Sequence, residues 1–105
     1  MNVLDECVDE RLRHLFPSDD CRTARFAGLT GLSNGQLLDA AEAAGFEVLI
    51  TVDQGIPEQQ TMAGRRISIA ILCAASNRLR DLEAVVPTVL AALQTVQPGE
   101  IVRVP

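Results

Sequence analysis

The stretch "SNGQLLDAAEAAGFEVLITVD", residues 33 to 53, constrains the fold more than any other part of the chain. Ser33 or Asn34 can cap a helix whose Leu37, Leu38, Ala41 and Ala44 form one apolar stripe, and Gly45 stands where a helix-terminating glycine belongs. A mostly apolar run, Phe46 to Val52, follows at once and ends at Asp53. A strand apolar on both of its faces suits the interior of a parallel sheet, where helices cover both sides. A helix feeding directly into such a strand is part of a β-α-β unit.

The rest of the chain repeats this alternation. "ISIAILCA", residues 67 to 74, is a second buried strand, and Val3-Leu4 predicts a short one over residues 2 to 5. Cys21 to Phe26 alternates as a strand does, and "PGEIVRVP" closes the chain as a short edge strand. Leu12, Leu15 and Phe16 share one face of a helix predicted over residues 9 to 16 and ended by Pro17. Residues 78 to 96 carry a helical pattern in which Pro87 either kinks the helix or starts a second one. Gly28, Gly31 and Gly35 punctuate a loop. With a short helix expected between the strands at 46–52 and 67–74, this order predicts a three-layer α/β/α sandwich on a mainly parallel sheet. At 105 residues the chain reads as a single domain, 1–105, with one hydrophobic core.

Composition narrows the function classes. The net charge is -5, all nine cations are arginine, and only 3% of residues are aromatic. Low aromatic content argues against a base-stacking platform, and an acidic chain needs a local basic patch or a bound cation to accept a phosphate backbone. Cys7, Cys21 and Cys73 show neither disulfide nor metal spacing, and Cys73 reads as a buried small hydrophobe. The acidic start does not look like a signal peptide, and no apolar run nears the ~20 residues that span a bilayer. A soluble, reducing, cytoplasmic setting without membrane association is therefore expected. Phosphate-loop, dinucleotide and Cys/His metal motifs are absent from the sequence.

In open α/β sheets, ligands bind beyond the carboxyl ends of the strands, where the strand order reverses. Two of the apolar strands end in aspartate, Asp5 and Asp53. If those strands are neighbours, the two carboxylates converge, and a hard cation such as Mg²⁺ or Mn²⁺ relieves their repulsion. The plainer alternative is that both merely solvate strand ends. Glu6 can add a ligand or point away, and Asp9 and Glu10 suit the positive end of a helix start. Asp39 and Glu42 read as a solvated pair on one helix face. Thr51 projects to the same side as Asp53 and can orient a carboxylate or pack. Asn77 can cap the helix that follows or join the polar cluster, with Arg78 or Arg80 reaching a phosphate. His14, the single histidine, reads as a helix-surface residue.

"VLDECVDERLRHLF", "GLSNGQLLDAAEAAGFEVLITVD" and "ISIAILCAASNRLRDL" resemble the corresponding stretches of small bacterial PIN-like proteins. The resemblance covers nearly the whole chain in order. It implies a PIN-like α/β/α fold and a divalent-metal-dependent ribonuclease, potentially the toxin of a toxin–antitoxin pair. Asp5 and Asp53 would then hold Mg²⁺ or Mn²⁺ and, with Glu6, form the catalytic set. Asn34, Thr51, Asn77 and Arg78 would support them or touch substrate. RNA and an antitoxin protein become the expected partners, and the Ala84–Leu93 stretch offers a homodimer interface or core. Two positions depart from the pattern. Asn34 stands where an acid is typical, and Gln54-Gly55-Ile56-Pro57 replaces a second aspartate two residues after Asp53. These leave a catalytically weak or inactive PIN-like module acting through protein contacts as the alternative. The stretch Pro57 to Met62, with Gln59 and Gln60, is a further candidate for lining the site.

Overall fold

The computed structural model describes residues 1–16, 21–56 and 62–104. Along these residues run β1 (Asn2–Leu4), a 3-10 helix (Glu10–Leu15), β2 (Cys21–Thr23), α1 (Asn34–Ala43), β3 (Val48–Thr51), β4 (Ser68–Leu72), α2 (Leu79–Leu93) and β5 (Ile101–Val104). The strands form one five-stranded sheet in the order β2-β1-β3-β4-β5, with every neighbouring pair parallel.

The pleat divides the core into two. Leu4, Val48, Ile50, Ala70 and Leu72 face Leu12 and Phe16 of the first segment and Leu82, Val85, Val86 and Val89 of α2. Val3, Leu49, Ile69 and Ile71 face the other way, onto Leu37, Leu38 and Ala41 of α1. Consecutive residues of each central strand therefore enter opposite cores, which is why these runs are continuously apolar. The expected α/β class is the observed one, and helices on both faces of the sheet are what a three-layer sandwich requires.

Several local expectations change. The first helix is a six-residue 3-10 turn, and Leu15 is 44% exposed while Leu12 and Phe16 are buried. So short a segment does not offset the cost of nucleating an α-helix. Its end at Phe16 is extended (φ -93, ψ 146), which takes that residue out of the helical projection. β2 stops at Thr23, three residues early. The Thr23 hydroxyl accepts the Phe26 N–H (3.1 Å) and its carbonyl accepts the Ala27 N–H (3.0 Å), so the chain turns and leaves Arg25 and Phe26 in solvent. α2 runs unbroken through Pro87, which sits on the solvent side while Val85, Val86 and Val89 anchor both halves. Cys73 is only half-buried. The short helix expected before β4 falls mostly on residues outside those described, as does the site-lining role expected of Pro57 to Met62. Met62 itself is described and lies in the core of the α1 face.

α1 begins with a capping box. The Ser33 hydroxyl accepts the Gln36 N–H and the Gln36 side chain accepts the Ser33 N–H. Ser33 is thus the cap, and Asn34 is the first helical residue. Gly45, at φ +91, terminates the helix in a conformation that favours glycine. Asp39 and Glu42 are not simply solvated. Asp39 pairs with Arg65 (2.8 Å), and one Glu42 carboxylate oxygen accepts the Arg66 and Ile67 N–H groups (2.6 and 3.1 Å), fastening α1 to the segment that enters β4. Those two main-chain bonds hold the Glu42 carboxyl below its usual range, Ile67 first.

Candidate functional site

The strand order reverses between β1 and β3, and Asp5 and Asp53 follow these two strands. The Asp5 N–H extends the ladder by donating to the Ile50 carbonyl (2.9 Å), which aligns the two strand ends. The condition for convergence, that the strands be neighbours, is met.

Thr51 links the two acids. Its side chain is fully buried, and its hydroxyl donates to Asp5 Oδ2 (2.8 Å) while accepting the Asp53 N–H (3.0 Å). Asp5, 8% exposed, also accepts the Glu6 N–H at Oδ1 (2.8 Å). Asp53 closes a local turn by accepting the Gly55 N–H at Oδ1 (2.9 Å), and its Oδ2 receives the Asn34 amide across a long 3.5 Å. The capping role taken by Ser33 leads Asn34 to this position at the opening of α1. Asp5, Thr51, Asp53 and Asn34 thus form one connected polar chain.

Glu6 lies beside it. Its side chain is exposed, and one carboxylate oxygen accepts the Gly31 N–H (3.2 Å) from the glycine-rich loop. Asn77 does not cap α2. Its amide donates to the Cys7 carbonyl (3.2 Å), so it braces the loop leaving β1. Ser76 serves the start of α2 instead, accepting the Arg78 N–H (3.1 Å) and donating to Asp81. Arg78 is exposed and forms no ion pair among the described residues. The Cys7 thiol contacts the Thr51 hydroxyl (3.5 Å), and partial burial of the sulfur, offset by that contact and reinforced by the Asp5 charge, pushes its pKa up.

Comparison with protein-family models, with curated proteins and with solved structures returns no match. What the site can do rests on its own donors.

Asp5, Glu6, Glu10, Thr23, Ala24, Arg25 and Thr30 line a cavity of about 220 Å³ at this edge. Arg25 and Thr30 had no distinguishing signal in the sequence, because the turn after β2 brings them here, and Glu10 was read only as an acid at a helix start. Among the described residues, no three His, Cys, Asp or Glu side chains converge as a ready-made metal cage. Two carboxylates on adjacent strands nonetheless match the one or two that Mg²⁺ uses while keeping its waters. Each oxygen of Asp5 and Asp53 accepts one protein hydrogen bond. A carboxylate oxygen has two lone pairs, so each retains one for a further partner. Asp5 and Asp53 are the residues that would hold a hard cation at this edge.

Proposed function

We propose that this chain is a divalent-metal-dependent ribonuclease of PIN type. The observation that carries the proposal is the pairing of Asp5 and Asp53 at the reversal point of the sheet, joined through Thr51. Asp5 and Asp53 hold Mg²⁺ or Mn²⁺. When bound, such an ion neutralises a phosphate and lowers the pKa of its water. Thr51 fixes the Asp5 carboxylate in one orientation, and Asn34 steadies Asp53. Glu6 faces the adjoining cavity with its second carboxylate oxygen unbonded, and it accepts the proton of the attacking water.

A second reading is favoured by the internal bonding of the acids. All four carboxylate oxygens already accept protein donors, and Asn34 contributes an amide where a charge would strengthen a metal site. On this reading the chain is a PIN-like module without catalysis that acts through protein contacts. Incubation of the purified protein with single-stranded and structured RNA, in Mn²⁺ or EDTA, separates the two. The nuclease reading expects cleavage that EDTA abolishes and that Asp5→Asn and Asp53→Asn each suppress. Cleavage surviving both substitutions would sink the site assignment. Absence of cleavage together with no Mn²⁺-dependent rise in Tm removes the nuclease reading and favours the second.

A further inference from the structure

Next to the carboxylate cavity, and sharing Glu10, Thr23 and Arg25 with it, runs a groove of about 530 Å³. It is lined by Arg11, Arg13, His14, Arg22, Arg25 and Phe26 together with Glu10 and Thr23. Four of the nine arginines and the single histidine meet here, on a chain whose net charge is -5. Among the described lining residues arginine outnumbers acid, opposite in sign to the whole chain. Phe26 stands 77% exposed at the edge of the groove, with the Arg22 guanidinium over its ring at 5.7 Å. An exposed ring on an otherwise aromatic-poor surface, flanked by guanidinium groups, has the composition of a base-stacking site.

The ion pairs of Arg11 and Arg25 leave both guanidinium groups open to a further acceptor. Arg11 pairs with Asp9 (2.7 Å) and Arg25 with Glu10 (2.9 Å), and both arginines are largely exposed. Exposed pairs hold weakly, and each guanidinium has five N–H donors, so a phosphate oxygen can share or displace the carboxylate. Arg13 is exposed and makes no ion pair among the described residues.

We infer that this groove binds single-stranded RNA, its phosphates on Arg11, Arg13 and Arg25 and one base stacked on Phe26 beside Arg22, and leads the strand to the Asp5 and Asp53 edge. A single strand is required because a base stacks on a side chain only when it has left its pair. The choice of RNA rests on the nuclease reading, but binding can be measured without catalysis.

The probe is an unstructured fluorescein-labelled RNA of about eight nucleotides, titrated in EDTA and followed by anisotropy, beside the same RNA as a duplex. Wild-type protein binds the single strand more tightly than the duplex. Phe26→Ala weakens single-strand binding roughly 5- to 150-fold and leaves the duplex little changed. Arg13→Ala flattens the slope of log Kd against log salt by about 0.7, one phosphate contact on a single strand. Circular dichroism confirms that both exposed-site variants remain folded. The inference is overturned if no RNA binds at low salt, if duplex and single strand bind alike, or if Phe26→Ala binds as wild type. Displacement of the RNA by oligoglutamate at equal charge concentration also overturns it, in favour of an acidic protein partner. RNA binding of the expected pattern without Mn²⁺-dependent cleavage keeps the groove and removes the nuclease. Cleavage that needs Asp5 and Asp53 but proceeds at wild-type efficiency in Phe26→Ala and Arg13→Ala does the reverse.

Discussion

Replacing Thr51 by valine keeps the side chain's shape and removes its hydroxyl, which makes it the sharpest test of how the site is built. The hydroxyl donates to the Asp5 carboxylate at 2.8 Å in a fully buried position, and a hydrogen bond to a charged group contributes about 1.5–3 kcal/mol. The Asp53 N–H, now bonded to the same oxygen at 3.0 Å, loses its acceptor in a half-buried setting, a further ~1 kcal/mol. The added methyl returns about 0.8 kcal/mol. The balance is a loss of about 2–3 kcal/mol, which corresponds to a fall in Tm of roughly 10 °C for a domain of this size. Thr51→Ser keeps the hydroxyl and removes one methyl, so it costs only about 1 kcal/mol. Urea unfolding monitored by far-UV circular dichroism measures both. In an Asp5→Asn background the valine penalty shrinks, because the charged acceptor is gone. If Thr51→Val lies within about 0.5 kcal/mol of wild type, or serine harms as much as valine, the hydroxyl does not hold the two acids together.

Three further outcomes are expected. Asn34→Asp places a second negative charge 3.5 Å from Asp53, costing about 1–4 kcal/mol without metal and raising Tm on Mn²⁺ addition more than in wild type; an equal Mn²⁺ response in the two proteins would falsify the metal assignment for that corner. Glu42 has a carboxyl lowered below its usual 4.5 by the Ile67 and Arg66 N–H groups, so its contribution is full above that value and fades as pH falls through the lower, folded value. Thermal melts should therefore show Glu42→Gln destabilised at pH 7 and converging on wild type as the pH is taken below the usual carboxylate range. Gly99→Ala combines φ +78 with a Cβ 3.0 Å from the Arg65 carbonyl, whereas Gly28→Ala has φ +75 and open space. The second costs about 1 kcal/mol and the first clearly more, as chemical denaturation of the pair would reveal.

How far the sequence could be read depended on whether the deciding interaction was local. The strands at Val48–Thr51 and Ser68–Leu72 were visible because both of their faces are buried, so no neighbour had to be known. Asp5 and Asp53 were visible as strand-end acids, but their meeting depended on β1 and β3 being adjacent, a fact of strand order that periodicity does not carry. Ser33 and Asn34 were equal candidates for the cap until Gln36 completed the box with Ser33 and brought Asn34 to Asp53. The early end of β2 was hidden because Thr23 has the β propensity of a strand residue, and its turn depends on its hydroxyl taking the Phe26 N–H. That same turn assembles the arginine groove from two segments about ten residues apart. Four arginines that form no run in the sequence consequently come to line one groove only on folding.

The bond from the Gly31 N–H to Glu6 gives the site a built-in reporter. Gly31 belongs to the loop that opens α1, where Asn34 sits, while Glu6 belongs to the loop leaving β1. A cation or phosphate that draws the Glu6 carboxylate to itself must compete with that amide. Loss of that bond would free the loop that carries Asn34 toward Asp53. Faster hydrogen exchange at a single glycine amide would register the arrival of a ligand before any product is formed.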